Sequence, residues 1–223
     1  MKMSLFAQAV GKFLLGVVLV GVLVFWPAGT LHFWQGWLFM GILFVPMFLA
    51  GLVMLKKNPA LLEKRLNAKE KEQEQNIVVK LSGLMFLLGF IVAGLTVRFN
   101  WYILPKVVSV VAAVVFLAAY GLYGEVLREN TYLSRTIEVQ EGQQVVDTGL
   151  YGIVRHPMYS VTVVLFLAMP LVLGSVFSLI IFLVYPFLIA KRIRNEEQVL
   201  TAELAGYAAY KEKVRWRLLP FIW

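Results

Sequence analysis

Long stretches without charged residues dominate the hydrophobic pattern of this chain. No Lys, Arg, Asp or Glu occurs in residues 13–55, 81–97, 107–124 or 157–190. A helix needs about 20 apolar residues to cross a bilayer. Within a bilayer a single segment can satisfy all its backbone hydrogen bonds only as a helix. The pattern therefore predicts a bundle of transmembrane α-helices.

Prolines, glycines and charges divide these stretches into separate elements. The predicted spans are residues 12–26, 34–55, 81–97 and 104–127. Residues 157–190 as one helix would be about 50 Å long, well beyond a hydrocarbon core of about 30 Å. Pro170 and Gly174 therefore predict the turn of a membrane hairpin. Residues 191–223 are predicted to form one amphipathic helix that ends at Pro220. The expected fold class is all-α: a polytopic bundle of four spans, a C-terminal membrane hairpin and a cytoplasmic amphipathic helix.

The basic residues predict an orientation in the membrane. With the N-terminus inside, 19 of the 21 Lys and Arg residues lie inside, and only Arg98 and Lys106 lie outside. The positive-inside rule then places both termini and the polar segments 56–80, 128–156 and 191–223 in the cytoplasm. The net charge of +8 follows from this topology and does not indicate nucleic-acid binding.

The positions of the polar segments also predict two regions within one structural unit. Residues 1–127 carry the N-terminal transmembrane helices with the charged segment 56–80. Residues 128–223 form the predicted catalytic region. The spans lack ionisable residues at their centres, which argues against an ion channel or a proton-coupled transporter.

Several common types of site are excluded by composition and motif. Cysteine is absent, so the chain has no thiolate ligand or Cys nucleophile. The only histidines, His32 and His156, fall on opposite sides of the predicted bundle, so no metal site is expected. Phosphate-binding loops, dinucleotide fingerprints and Ser nucleophile elbows are also missing.

Two charged pairs at the predicted membrane boundary are candidates for chemistry. Arg155 and His156 stand directly before Pro157, which is favourable at the start of a helix, and together with the open N–H groups they can bind an anion. A boundary Arg-His pair can also simply anchor a helix at the headgroups, and spacing alone leaves both explanations open. Glu196 and Glu197 lie where the hairpin leaves the membrane. Anchoring of a helix at the headgroups does not explain two adjacent carboxylates at this boundary. The pair therefore favours a contact with a ligand.

The neighbouring basic and aromatic residues have simpler explanations. Arg192 and Arg194 fit the basic inner boundary of a span, and Arg192 can pair with Glu196 at i,i+4. Tyr207 and Tyr210 share one helix face, as expected of an amphipathic helix at the membrane interface.

The ordered set of motifs resembles the isoprenylcysteine carboxyl methyltransferase family of integral membrane enzymes, whose pattern overlaps with that of phospholipid methyltransferases. The family's hallmark is Arg-His-Pro-x-Tyr, an apolar stretch and then Glu-Glu. Here it reads Arg155-His156-Pro157-Met158-Tyr159, followed by an uncharged hairpin and Glu196-Glu197. The flanking sequences extend the resemblance over residues 125–223. Val161 departs from the family, which often has Gly at this position.

The resemblance implies S-adenosylmethionine as the methyl donor, bound by the C-terminal half of the chain. Arg155 and His156 suit the carboxylate of the donor, and a glutamate suits its ammonium or ribose hydroxyls. Tyr151 or Tyr159 could flank the adenine or the sulfonium. Carried over to this chain, the cofactor site comprises Arg155, His156, Tyr159, Glu196 and Glu197, with Tyr151 beside them.

The implied acceptor is lipophilic and reaches the site from the bilayer. A prenylcysteine-like carboxylate needs a cation to position it rather than a base. Arg194 is the first candidate for that cation and Arg192 the second. A phospholipid amine or a thiol would need a base, with His156 or Glu197 as the candidates. The remaining alternative is a catalytically silent membrane scaffold, which would have little reason to keep paired glutamates at a membrane boundary.

Overall fold

The computed structural model describes residues 4–66, 73–133 and 139–223, and these residues are mostly helical. Nine α-helices and one 3₁₀ turn, Gly149–Gly152, occur in the described part of the chain. In chain order the helices are α1 Leu5–Ala28, α2 Trp34–Lys57, α3 Pro59–Leu66, α4 Gln73–Arg98, α5 Lys106–Glu129, α6 Pro157–Val172, α7 Val176–Phe182, α8 Tyr185–Glu203 and α9 Tyr207–Lys213.

The helices confirm the predicted all-α membrane bundle. Five stretches of the described chain are long and apolar enough to cross a membrane: Leu5–Ala28, Trp34–Lys57, Asn76–Arg98, Lys106–Glu129 and Val176–Glu203. The first four correspond to the predicted spans. Helix α3 confirms helical structure after Pro59 within the charged segment 56–80, of which residues 67–72 lie outside the described part. The division between residues 127 and 128 stays a prediction, although α5 and α6 pack closely across it.

The ends of α1 are set by local chemistry. The Ser4 side chain accepts a hydrogen bond from the Ala7 N–H, which satisfies an open donor of the first turn. At the other end Gly29 adopts φ 66° and donates its N–H to the carbonyls of Phe25 and Trp26. Pro27 lies inside the last turn of the helix. The left-handed glycine, rather than the proline, therefore ends α1.

Contacts between the helices bring the described parts of the polar segments together at one end of the bundle, which we call the site end. There Lys12 donates a hydrogen bond of 2.6 Å to the carbonyl of Leu66, which joins α1 to α3. The Glu129 carboxylate, at the end of α5, accepts a hydrogen bond of 3.0 Å from the Leu150 N–H. At the opposite, far end, Arg98 lies beside the connection from α1 to α2.

Helix α4 lies close to its neighbours because it carries glycine at two contacts. A Cβ at Gly94 would lie 2.6 Å from the carbonyl oxygen of Val24 on α1. A Cβ at Gly89 would lie 2.3 Å from the ring of Phe182 on α7. Small residues of this kind let membrane helices approach closely. Helix α4 is therefore packed directly against both α1 and the second leg of the hairpin.

The predicted hairpin turn is confirmed at the far end. Gly174 adopts φ 73°, and its carbonyl accepts a hydrogen bond of 2.9 Å from the Leu104 N–H in the α4–α5 connection. The Ser175 hydroxyl caps α7 by accepting from the Ser178 N–H and lies 2.7 Å from the Thr96 hydroxyl of α4. The second leg returns toward the site end as α7 and α8.

The prediction of one helix over residues 191–223 is wrong. Helix α8 continues to Glu203, and the chain then bends at Gly206, whose φ of 84° is unfavourable for residues with a side chain. After α9 the tail, residues 214–223, is not helical. Its last turn is closed on the Trp223 carbonyl, which accepts hydrogen bonds from the N–H groups of Arg217 and Leu218.

Candidate functional site

A pocket at the site end lies between the start of α6, the site-end half of α8, α9 and the segment before the 3₁₀ turn. Its volume is about 90 Å³. The pocket combines groups of both charges with hydroxyls and apolar side chains. Its charged and aromatic lining residues include Tyr151, Arg155, His156, Tyr159, Arg192, Glu196, Tyr207 and Tyr210.

Tyr159 joins the two charged residues of α8 that face the pocket. Arg192 and Glu196 are four positions apart and therefore lie on one face of the helix. The Tyr159 hydroxyl donates to Glu196 Oε2 at 2.6 Å and accepts from Arg192 Nε at 2.9 Å. Arg192 and Tyr159 are buried, whereas Glu196 is half-buried. The hydroxyl thus fixes a cation and a carboxylate side by side.

Glu197 lies behind the pocket and belongs to a different group of contacts. Its Oε1 accepts from Arg155 Nε at 2.7 Å and lies 3.3 Å from His156 Nε2. Its Oε2 accepts from Arg217 Nε at 2.9 Å. Only 4% of Glu197 is exposed. A buried carboxylate is tolerated when it is paired and hydrogen-bonded in this way.

Arg155 also binds the backbone of the tail. Its Nη1 donates to the carbonyls of Val214 at 2.7 Å and Arg215 at 3.0 Å. Its own N–H donates to the Trp216 carbonyl at 2.8 Å, and the His156 N–H donates to the Arg217 carbonyl at 2.9 Å. The residues before α6 are therefore paired with the tail along both backbone and side chain.

Two tyrosines of α9 close the other wall of the pocket. The Tyr210 hydroxyl donates to the carbonyl of Tyr151 at 2.7 Å. The Tyr207 hydroxyl is buried and has no hydrogen-bond partner among the described residues. Burial raises the pKa of both Tyr207 and Tyr210, so each hydroxyl keeps its proton. Tyr207 thus holds a donor at the pocket with nothing in the described chain to receive it.

The 3₁₀ turn is held in place by α5 and α9. Gly149 adopts φ 52°, and a Cβ there would lie 1.5 Å from Glu129 Oε1. The close approach lets the Glu129 carboxylate accept the Leu150 N–H. On the other side Lys213 pairs with Asp147 at 2.6 Å, and the hydrogen bond from Lys213 lowers the pKa of that carboxyl. The turn brings Tyr151 to the pocket.

Most of the residues predicted from sequence converge on this pocket. The cofactor candidates that line it are Tyr151, Arg155, His156, Tyr159 and Glu196. Glu197 stands directly behind them. Of the two arginines, the structure places the second choice, Arg192, in the pocket, and leaves the first choice, Arg194, exposed and outside the lining. Positions two apart on a helix point in different directions, which explains the difference.

Three residues at the site were not predicted to belong to it, namely Tyr207, Tyr210 and Arg217. Tyr207 was explained as part of an interfacial helix, and its i,i+3 spacing with Tyr210 does fit a shared face. The role of Arg217 depends on the tail folding back, which no local pattern signals. Among the described residues no group of three or more metal-binding side chains is found.

Residues 110–202 match the model of the isoprenylcysteine carboxyl methyltransferase family. The matched segment runs from α5 to the last turn of α8, and it contains the Arg155–Tyr159 motif and both glutamates. The resemblance predicted from the motifs is therefore confirmed over this segment. A search of curated proteins gave no match.

Proposed function

We propose that this chain is a membrane methyltransferase that uses S-adenosylmethionine to methylate a lipophilic acceptor. Its residues 110–202 match the model of the isoprenylcysteine carboxyl methyltransferase family. The observation that carries the proposal is the pocket at the site end. It holds Arg192 and Glu196 side by side and adds the buried Tyr207 hydroxyl, which has no hydrogen-bond partner in the described parts of the chain. A donor with an ammonium and hydroxyl groups, placed beside an anionic acceptor, matches that combination.

The chemistry of the lining fits the proposed donor. S-adenosylmethionine would supply a methyl group activated by a sulfonium. Glu196 suits the ammonium or the ribose hydroxyls, Arg155 adds positive charge for the carboxylate, and Tyr207 offers a neutral hydrogen-bond donor. The pocket volume of about 90 Å³ is below the 300–1,000 Å³ typical of ligand pockets. A ligand of that size therefore either extends beyond the pocket or displaces lining side chains.

Methyl transfer is a displacement at carbon, in which alignment of the two reactants dominates over proton transfer. Tyr159 supplies part of that alignment because it holds both charged groups of α8. Arg192, rather than Arg194, is the cation at the pocket that can position a carboxylate acceptor. The apolar lining residues Met158 and Leu200 give the acceptor's hydrocarbon part a contact surface.

A carboxylate acceptor, of the prenylcysteine type, fits the site best. Such an acceptor is already ionised and needs no base. Both oxygens of Glu197 accept hydrogen bonds from cations, which makes this residue a poor base. Amine and thiol acceptors, as in a phospholipid N-methyltransferase or a thiol methyltransferase, would depend on His156. We further propose that the site end faces the cytoplasm, because it collects the basic segments.

Binding of S-adenosylhomocysteine to the purified protein in nanodiscs tests the donor. Calorimetry should show binding by the wild type and at least tenfold weaker binding by Glu196→Gln, since a charge-assisted contact is lost. Glu203→Gln is the matched control, because Glu203 is an exposed glutamate at the end of the same helix. Absence of binding by a demonstrably folded wild type would favour the silent-scaffold alternative.

The acceptor class is tested with radiolabelled donor and three candidate acceptors: a farnesylcysteine analogue, a phosphatidylethanolamine and a hydrophobic thiol. A carboxyl methyl ester releases its label as volatile methanol in alkali, whereas N-methyl and S-methyl products keep it. Alkali-labile label on the farnesylcysteine analogue is expected. Alkali-stable label on either of the other acceptors would replace the carboxylate assignment.

A further inference from the structure

We infer that Glu197 is a positioning residue whose partners close the site from behind. Arg155, Glu197 and Arg217 form what we call the ionic latch. It ties the tail, residues 214–223, to the start of α6 and to α8. The inference rests on the proposed function for its consequence in binding, but the latch itself is defined by contacts within the chain.

Both carboxylate oxygens of Glu197 are paired within the latch, and Glu197 does not line the pocket. Arg155 occupies one carboxylate oxygen and Arg217 occupies the other. The exposed fraction is 4% for the Glu197 side chain, 6% for Arg155 and 32% for Arg217. Glu197 is also absent from the residues that line the pocket. A ligand group could reach it only by displacing Arg155, His156 or Arg217.

Each member of the latch belongs to a different segment. Glu197 is on α8, Arg155 precedes α6, and Arg217 is in the tail. The attachment of the tail continues beyond the charges, because the Ser160 hydroxyl on α6 donates to the Leu218 carbonyl at 2.6 Å. Arg155 Nη1 donates to the Val214 carbonyl, directly after α9, where a helix leaves carbonyls without partners.

The latch therefore supports two walls of the pocket. Arg155 and its neighbour His156 line one wall, and both contact Glu197. Tyr207 and Tyr210 line another wall from α9, and the backbone after α9 is held by Arg155. Loss of the latch contacts would therefore remove support from both walls. The expected result is weaker ligand binding by a protein whose membrane helices remain folded.

Arg217→Gln opens the latch with the least disturbance, because Arg217 is its most exposed member. Arg215→Gln is the matched control, since Arg215 carries the same charge in the same segment and its side chain is exposed. In nanodiscs well below the melting temperature, Arg217→Gln should bind S-adenosylhomocysteine about tenfold more weakly than wild type, whereas Arg215→Gln should stay within about twofold. Arg217→Lys keeps the charge and should recover part of the affinity.

A double-variant comparison separates positioning from loss of charge. Glu197→Gln alone should weaken binding, and adding Arg217→Gln to it should change the affinity little, because the contact is already broken. Equal and additive losses would overturn the latch. Normal binding by both single variants would overturn it as well.

Hydrogen exchange tests the latch independently of the ligand. The amide of His156 is bonded to the Arg217 carbonyl, so Arg217→Gln should speed its exchange at least tenfold, and Arg215→Gln should not. If the wild type binds no S-adenosylhomocysteine but this exchange pattern holds, the proposed function fails and the latch stands. Unchanged exchange in Arg217→Gln would overturn the latch even if the protein is a methyltransferase.

Discussion

Tyr207→Phe should stabilise the free protein and weaken its binding of the proposed cofactor. The substitution removes one hydroxyl and leaves the ring in place. In the described structure that hydroxyl is buried without a hydrogen-bond partner. Leaving a buried polar group unsatisfied costs about 1–3 kcal/mol. Removing it therefore relieves a cost in the free state and deletes a contact in the bound state.

The size of both effects follows from this cost. Relief of about 1 kcal/mol raises the melting temperature by roughly 2–4 °C for a chain of this size. A lost hydrogen bond of about 0.5–1.5 kcal/mol weakens ligand binding by roughly 2- to 13-fold. Because burial raises the pKa of Tyr207, the hydroxyl stays protonated, and the loss of affinity should be independent of pH between about 6 and 9.

The assay pairs thermal unfolding with calorimetry of S-adenosylhomocysteine in nanodiscs. Tyr210→Phe is the matched control on the same helix, because the Tyr210 hydroxyl already donates to the Tyr151 carbonyl at 2.7 Å. Its removal should lower the melting temperature, since a satisfied hydrogen bond is lost. Opposite signs for the two tyrosines are thus expected.

A Tyr207→Phe variant that melts at a lower temperature and binds the ligand normally would refute this reasoning. That result would mean that the hydroxyl contributes to the free fold and does not face the ligand.

Two further predictions concern the pocket and its supporting turn. Arg192→Gln should reduce methyl transfer at least tenfold, because a charge-assisted contact is worth about 1.5–3 kcal/mol; Arg194→Gln should retain activity, and the reverse order would show that the exposed arginine carries the role. Gly149→Ala should lower the melting temperature because it combines left-handed strain of about 1–2 kcal/mol with a clash against Glu129. Gly142→Ala shares the positive φ but meets nothing within 4 Å, so thermal unfolding should show a smaller loss, and equal losses would exclude the clash.

The spans could be predicted because absence of charge is a signal carried by the sequence itself. Stretches such as residues 13–55 have few stable alternatives in a bilayer, and glycine marks where they end or turn. Gly29 and Gly174 both adopt positive φ at predicted breaks. The hairpin and its turn therefore required no knowledge of tertiary contacts.

Helix α8 shows where local pattern is insufficient. The charged sequence after residue 190 is compatible with a continuing helix, and the bend at Gly206 interrupts it. The tail then satisfies its carbonyls with the N–H groups of Arg155 and His156. Such partners are distant in sequence, so a pattern that repeats every few residues cannot reveal them.

The different surroundings of Glu196 and Glu197 were also not predicted from the sequence. Sequence predicted that Glu196 and Glu197 both face a ligand, although adjacent positions on a helix point about 100° apart. In the structure Glu196 lines the pocket, whereas Glu197 pairs with Arg155 and Arg217 behind it. Periodicity could have separated them, and it could also have separated Arg192 from Arg194, but only the fold shows which of each pair faces inward.

The length of α6 sets the depth of the pocket in the bilayer. Its 16 residues span about 24 Å, against about 36 Å for the 24 residues of the adjacent α5. Its far end meets the α4–α5 connection through Leu104 and Gly174, and its length is about 6 Å less than the thickness of a 30 Å hydrocarbon layer. Under the proposed function, a lipophilic acceptor can meet a pocket at the start of this short helix without leaving the membrane, and methyl transfer should slow as the acyl chains of the host bilayer lengthen.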